Sequence, residues 1–176
     1  AGFTHWAKLN NLKQAAKTMN FLTEHGISSY GELESKLTAV SARRDTAHAE
    51  IKRVESRSAE LTLVMKHAGT YRQLKPLYDR YRKSNDKEKF LRGHESEIIL
   101  FEAAARELKR LGAVPLPITE SMKTEFAKLN AEKERLLTEY KTARTEAQEY
   151  DTVKQNVDAL LAVPKEQEQQ RRHELE

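Results

Sequence analysis

The sequence contains no cysteine, which excludes disulfides and thiolate metal sites and fits a cytoplasmic protein. It holds only 6 glycines and 4 prolines in 176 residues, so there are few places where the chain is obliged to turn. Aromatic residues make up 7%, too few for a thick globular core, against 33% charged residues. No apolar run approaches the roughly 20 residues needed to span a bilayer, so no membrane insertion is expected, and no secretory signal pattern follows Ala1. No stretch alternates with the period of a half-buried strand. The six histidines never come closer than 19 residues apart, and no zinc-protease or paired-histidine spacing exists among them. Phosphate-cradling glycine loops are absent as well. The expectation is a chain with no cofactor and no catalytic motif of its own. His94-Glu95 reads as a helix cap.

What the sequence does contain is periodicity. Leu33, Leu37, Val40, Arg44, Ala47, Ile51, Val54, Ser58, Leu61, Met65 and Ala68 recur at 4,3 spacing. So do Met122, Phe126, Leu129, Lys133, Leu136, Tyr140, Ala143, Ala147, Tyr150, Lys154, Val157 and Leu161. These are two heptad seams of similar length. Folded back on each other they match in reverse, with Val54 opposite Leu136 and Leu33 opposite Val157. Four polar residues interrupt them: Arg44, Ser58, Lys133 and Lys154. In a parallel homodimer each lysine and the arginine would face its own copy, a disfavoured arrangement. In the folded-back hairpin each meets a different residue, and its long stem can carry the charge out to water. A monomer is therefore favoured over a parallel homodimer. The fold class expected is all-α: a long antiparallel coiled-coil hairpin with a small helical tip subdomain and a short N-terminal helix packed at its base.

Capping signals set the expected boundaries. Residues 1–28 form the N-terminal helix, with Trp6, Leu9, Leu12, Ala16, Met19 and Leu22 on one face and Gly26 as C-cap. Lys8, Lys13 and Lys17 around that stripe also allow a membrane-surface helix, but the hairpin base needs cover, and packing there is preferred. Ser29-Tyr-Gly-Glu32 reads as a capping box that starts the outgoing helix, 29–68. Gly69 and Pro76 mark the end of the regular seam, with a kink or restart near Lys75. The tip spans 69–118. Within it, Ser84-Asn-Asp86 is a break and a cap, and Glu95 to Leu111 a helix stopped by Gly112. The inner face of that helix is Ile98, Phe101 or Ile99, Ala105, Leu108 and Leu111. Pro115 and Pro117 hold an extended link. Thr119 caps the return helix, 119–163, and 164–176 is an exposed tail.

Charge is concentrated at the tip. From Lys66 to Arg92 nine basic residues face three acidic ones, so this segment carries +6 and the remainder of the chain −2. The candidate nucleic-acid-binding residues are Arg72, Lys75, Tyr78, Arg80, Tyr81, Arg82, Lys83, Lys87, Lys89 and Arg92. Cations neutralise phosphates and tyrosine rings can stack on unpaired bases. A second reading stays open, in which Tyr71, Tyr78 and Tyr81 pack the tip core while the cations solvate its outer face.

Three stretches carry a family resemblance: FTHWAKLNNLKQAAKTMNFLTEHGI, YRKSNDKEKFLRGHESEIILFEAAARELKRLG, and LPITESMKTEFAKLNAEKERLLTEYKTAR followed by VKQNVDALL. Together they resemble the C-terminal helical region of relaxase/mobilisation proteins from conjugative and mobilisable elements of Firmicutes. The resemblance implies a parent protein that nicks a transfer origin, using a tyrosine nucleophile and a histidine-bound divalent metal in an N-terminal domain. Those motifs are absent here, so none of the six tyrosines inherits the nucleophile role. The resemblance makes this chain a non-catalytic C-terminal module. It would contact DNA during transfer, or serve as a structural arm docking relaxosome accessory or secretion-system proteins.

Overall fold

A computed structural model describes residues 2–173, with side chains described from 10 to 162. The described residues form four α-helices and no strand: α1 (Gly2–Glu24), α2 (Tyr30–Lys83), α3 (Lys87–Arg110) and α4 (Thr119–His173). The fold is all-α, and α2 and α4 pack as an antiparallel helical hairpin. The chain divides into two compact units, one of Ala1–His48 with Leu137–Glu176 and one of Ala49–Leu136.

In the first unit, α1 and the flanking parts of α2 and α4 close around Leu33, Tyr150 and Val153. Phe21, Leu22, Ile27, Leu37, Val40 and Val157 pack against that centre. The Phe21 ring meets Tyr150 edge-on at 5.1 Å and stacks on His25 at 3.9 Å. The turn from α1 to α2 is closed by Gly26 in the left-handed region (φ 60). The Ile27 amide donates to the Leu22 carbonyl at 2.8 Å and the Gly26 amide to Thr23 at 3.1 Å, the paired bonds of a Schellman ending. Ser29 caps as expected, its Oγ accepting from the Glu32 amide at 3.2 Å. The Glu32 carboxylate, however, reaches one residue further back, to the Ser28 amide at 2.7 Å and the Ser28 hydroxyl at 2.9 Å. Those donors, the Ser28 amide first, hold the Glu32 carboxyl below its ordinary range.

The buried face of α1 differs from the expected one. Leu12, Ala16 and Met19 are exposed, and the inward positions are Ala15, Thr18, Phe21 and Leu22. Trp6 and Leu9 lie outside the described side chains. Thr18 is 2% exposed, and its Oγ accepts from Asn156 Nδ2 at 3.2 Å. A satisfied hydroxyl can be buried at little cost, so an internal hydrogen bond, rather than the longest apolar stripe, orients the helix.

The second unit buries Val54, Leu61, Val64 and Ala68 of α2, Ile98, Phe101, Ala104 and Leu108 of α3, and Met122, Leu129 and Leu136 of α4. Of the expected α3 face, Ala105 and Leu111 are half-buried, while Ile99 is 54% exposed and Ala104 takes its place inside. The antiparallel register is visible in each unit: Arg43 pairs with Glu146 and Tyr30 with Asp158 in one, Arg53 with Glu132 and Arg57 with Glu125 in the other. Every residue of the two expected seams is buried or half-buried except Leu161. The polar seam residues are half-buried with charges outside. Lys133 Nζ lies 2.8 Å from Glu55, and Lys154 Nζ 3.9 Å from Glu34 and 3.2 Å from Asp158. Arg44 shares a groove with Ala147, as the reverse pairing requires.

The expected break in 69–76 is absent, because α2 is one helix of 54 residues that passes through Gly69 and Pro76. A proline removes one intrahelical bond and crowds the preceding turn. Here both Pro76 and Arg72, whose carbonyl loses its partner, are exposed, so water can satisfy that oxygen. The return helix likewise continues through Pro164 to His173, for 55 residues rather than ending at 163. The end of the expected tail, 174–176, lies outside the described residues. Thr119 is the first residue of α4, but its hydroxyl accepts from Arg72 Nη1 at 2.8 Å, and the Met122 amide donates to the Ile118 carbonyl. The stop of α3 repeats that of α1: Gly112 has φ 67, the Ala113 amide donates to Leu108 and the Gly112 amide to Lys109.

Candidate nucleic-acid interface at the α2–α3 turn

Three residues, Ser84 to Asp86, connect α2 to α3. Ser84 Oγ accepts from the Asp86 amide at 3.3 Å, and Asp86 Oδ1 accepts from the Lys89 amide at 2.9 Å. The cap expected there is therefore present. It sets the last turn of α2, with Arg80, Arg82 and Lys83, beside the first turns of α3, with Lys87, Lys89 and Arg92. All six side chains are exposed, and none has an ion-pair partner among the described residues.

The remaining candidates are engaged elsewhere. Arg72 donates to the Thr119 hydroxyl and to the Pro117 carbonyl, tying α2 to the link before α4. Lys75 Nζ lies 2.6 Å from Asp79 Oδ1, one turn along the same helix, and that hydrogen bond raises the pKa of the ammonium. Tyr78 and Tyr81 are half-buried. Tyr78 stacks on Phe101 at 4.2 Å and Tyr71 stacks on the same ring at 4.7 Å. Tyr81 lies 5.9 Å from Tyr78 and 6.1 Å from Phe90, whose ring is 4.8 Å from His94. Of the two readings of the tyrosines, the packed one describes this geometry: the rings form one file between α2 and α3.

Phe90, Phe101 and His94 are not among the candidates, yet the two phenylalanines pack against the tyrosines and His94 packs against Phe90. A signal for this exists in the sequence. Below Leu61 the inward face of α2 runs Val64, Ala68, Tyr71, Lys75 and Tyr78, a seam stepped by one residue from Met65 and continued through Pro76. A third helix packing on α2 widens the covered face, and a straight helix drifts from a strict heptad in any case. α3 itself bends where Gly93 precedes His94, the one residue with non-helical angles inside it (φ −142, ψ 25). The His94 ring is half-buried, and its Nδ1, shielded from water, sits 3.7 Å from Glu97 without a hydrogen bond. A hollow of about 280 Å³ opens beside it, lined by Ser84, Asp86, Lys89, Phe90, Gly93 and His94.

Among the described residues no three histidine or carboxylate side chains converge as a metal site would require. Nor is any described helix long and apolar enough to cross a membrane. Compared with protein-family models, curated proteins and solved structures, the chain matches none.

Proposed function

We propose that this chain is a non-catalytic helical module that contacts nucleic acid through the α2–α3 turn. The observation that carries the reading is the state of the six turn cations: exposed, on helix ends joined by three residues, and without carboxylate partners among the described residues. Cations in the last turn of α2 offset the negative end of its dipole. Lys87 and Lys89 have the opposite setting, at the positive end of α3, where fold stability disfavours them. A bound polyanion would offset that cost. The resemblance to the C-terminal region of conjugative relaxases is consistent with this role, and within such a protein the module would hold DNA near a separate nicking domain. The cations named for this role are Arg80, Arg82, Lys83, Lys87, Lys89 and Arg92; Arg72 and Lys75 serve the fold.

The test is a titration of the chain with mixed-sequence DNA at several salt concentrations. Neutralising Arg80, Arg82 and Lys83 together to glutamine should weaken binding at least tenfold at low salt and flatten the salt dependence, with helicity unchanged. Unchanged affinity in the folded variant would refute the reading.

A second reading, a structural arm that docks a protein partner, is favoured by a different observation. Leu12 is 71% and Met19 60% exposed, and Met19 lines an apolar hollow of about 340 Å³ with Leu22, Ile27, Val157 and Leu161. Capture of accessory or secretion components that is lost on Met19→Lys, by a chain with no DNA affinity, would support it.

A further inference from the structure

We infer that the nucleic acid held at the α2–α3 turn is a duplex gripped by its phosphates alone, without base stacking and so without regard to sequence. This rests on the nucleic-acid reading above and adds to it the form of the ligand. Proteins that hold single strands combine cations with aromatic faces on which successive bases stack. At this turn the cations have no ion-pair partner among the described residues, whereas the rings are buried or half-buried against one another. Phe101, buried, is covered by Tyr71 and Tyr78, and Tyr81 is shared between Tyr78 and Phe90. The Phe90 ring in turn lies 4.8 Å from His94, tilted by 41°. These rings are buried or half-buried and already in contact with one another, so a stacked base would have to displace those contacts. The six cations, by contrast, sit on two helix ends joined by three residues and have no ion-pair partner among the described residues. Duplex DNA presents about one phosphate per 1.7 Å of axis, twice the density of a single strand, and six cations within a short stretch of chain gain more from the denser array.

The experiment compares the unmodified chain on a mixed-sequence duplex, an unrelated duplex of the same length, and an oligothymidine of the same length. The expected result is equal affinity for the two duplexes and at least several-fold weaker binding to the single strand. Engagement of all six cations gives a slope of log affinity against log salt approaching about −5 on the duplex. A second arm uses Tyr81→Leu, checked for native helicity, which should leave both affinities unchanged. Preference for the single strand, or a tenfold loss of single-strand binding in Tyr81→Leu, would overturn the duplex inference and leave the nucleic-acid reading standing. Binding to none of the three would overturn both, as would attachment to anionic phospholipid vesicles by a chain that ignores DNA.

Discussion

The cations along the seams and the cations at the α2–α3 turn are the same residue types in opposite circumstances. Arg43, Arg53 and Arg57 each reach a glutamate on the facing helix, and Lys133 and Lys154 reach glutamates on α2. Arg80, Arg82, Lys83, Lys87, Lys89 and Arg92 reach none among the described residues. The cations that bridge the two helices report the register, because each pair exists only when α2 and α4 lie antiparallel at that offset. Those at the turn set no register, and beyond their effect on the helix dipoles their charge is left for something outside the chain. Composition does not separate the two groups; the presence of a carboxylate across the interface does.

That contrast can be broken or sharpened by substitution. The largest effect belongs to the buried apolar layer of the second unit. Leu108→Ala, at a side chain 1% exposed, should lower unfolding free energy by about 2–5 kcal/mol in a denaturant titration. Next are the two matched helix stops. Gly26→Ala and Gly112→Ala meet no atom within 4 Å, so each pays only the left-handed backbone strain, about 1–2 kcal/mol, and the two costs should agree. A double-mutant cycle on Arg57 and Glu125, both about half exposed, should return a coupling of about 0.2–1 kcal/mol that shrinks with salt. At the bottom of the scale, the glutamine triple at Arg80, Arg82 and Lys83 should leave the thermal midpoint nearly unmoved while abolishing most of the DNA affinity. A coupling at Arg57 no larger than zero would erase the distinction between the two groups.

Acid gives an independent handle on the seam alone. The Tyr30 hydroxyl donates to Asp158 at 2.7 Å, and that bond, followed by Lys154, holds the Asp158 carboxyl below its ordinary range. A depressed carboxyl contributes stability that is fully present above the unfolded value, about 3.9, and is lost as pH falls through the lower folded value. Asp158→Asn should therefore flatten the stability profile in that acid window and leave DNA binding at neutral pH unaltered. Melting curves from pH 6 to pH 2 would check it.

The heptads were readable because a buried seam leaves its period in the residue order, and the two glycine stops because a left-handed residue has few alternatives. Pro76 does not break α2 as its residue type suggests, because the cost of a proline depends on whether the orphaned carbonyl can see water, which no local window reveals. The face of α1 was misread because the Thr18–Asn156 bond joins residues far apart in sequence, and it outweighed Leu12 and Met19. At the candidate site the cations were legible as a run of charge, but their sorting into free and engaged was not. Arg72 finds its acceptors at Pro117 and Thr119, and Tyr78 finds Phe101, through a fold that only the packed α3 creates.

The three-residue turn has a consequence for limited proteolysis. Trypsin cuts after lysine and arginine where the backbone can leave its helix, and Ser84–Asp86 is the break between α2 and α3, flanked by Lys83 and Lys87. Early cleavage there leaves one fragment with all of α2 and another with all of α4. The buried layer and the cross-helix pairs join those fragments without using the peptide bond that was cut. The nicked protein should thus travel as a single species on a sizing column and separate only in denaturant, a two-chain protein made from one.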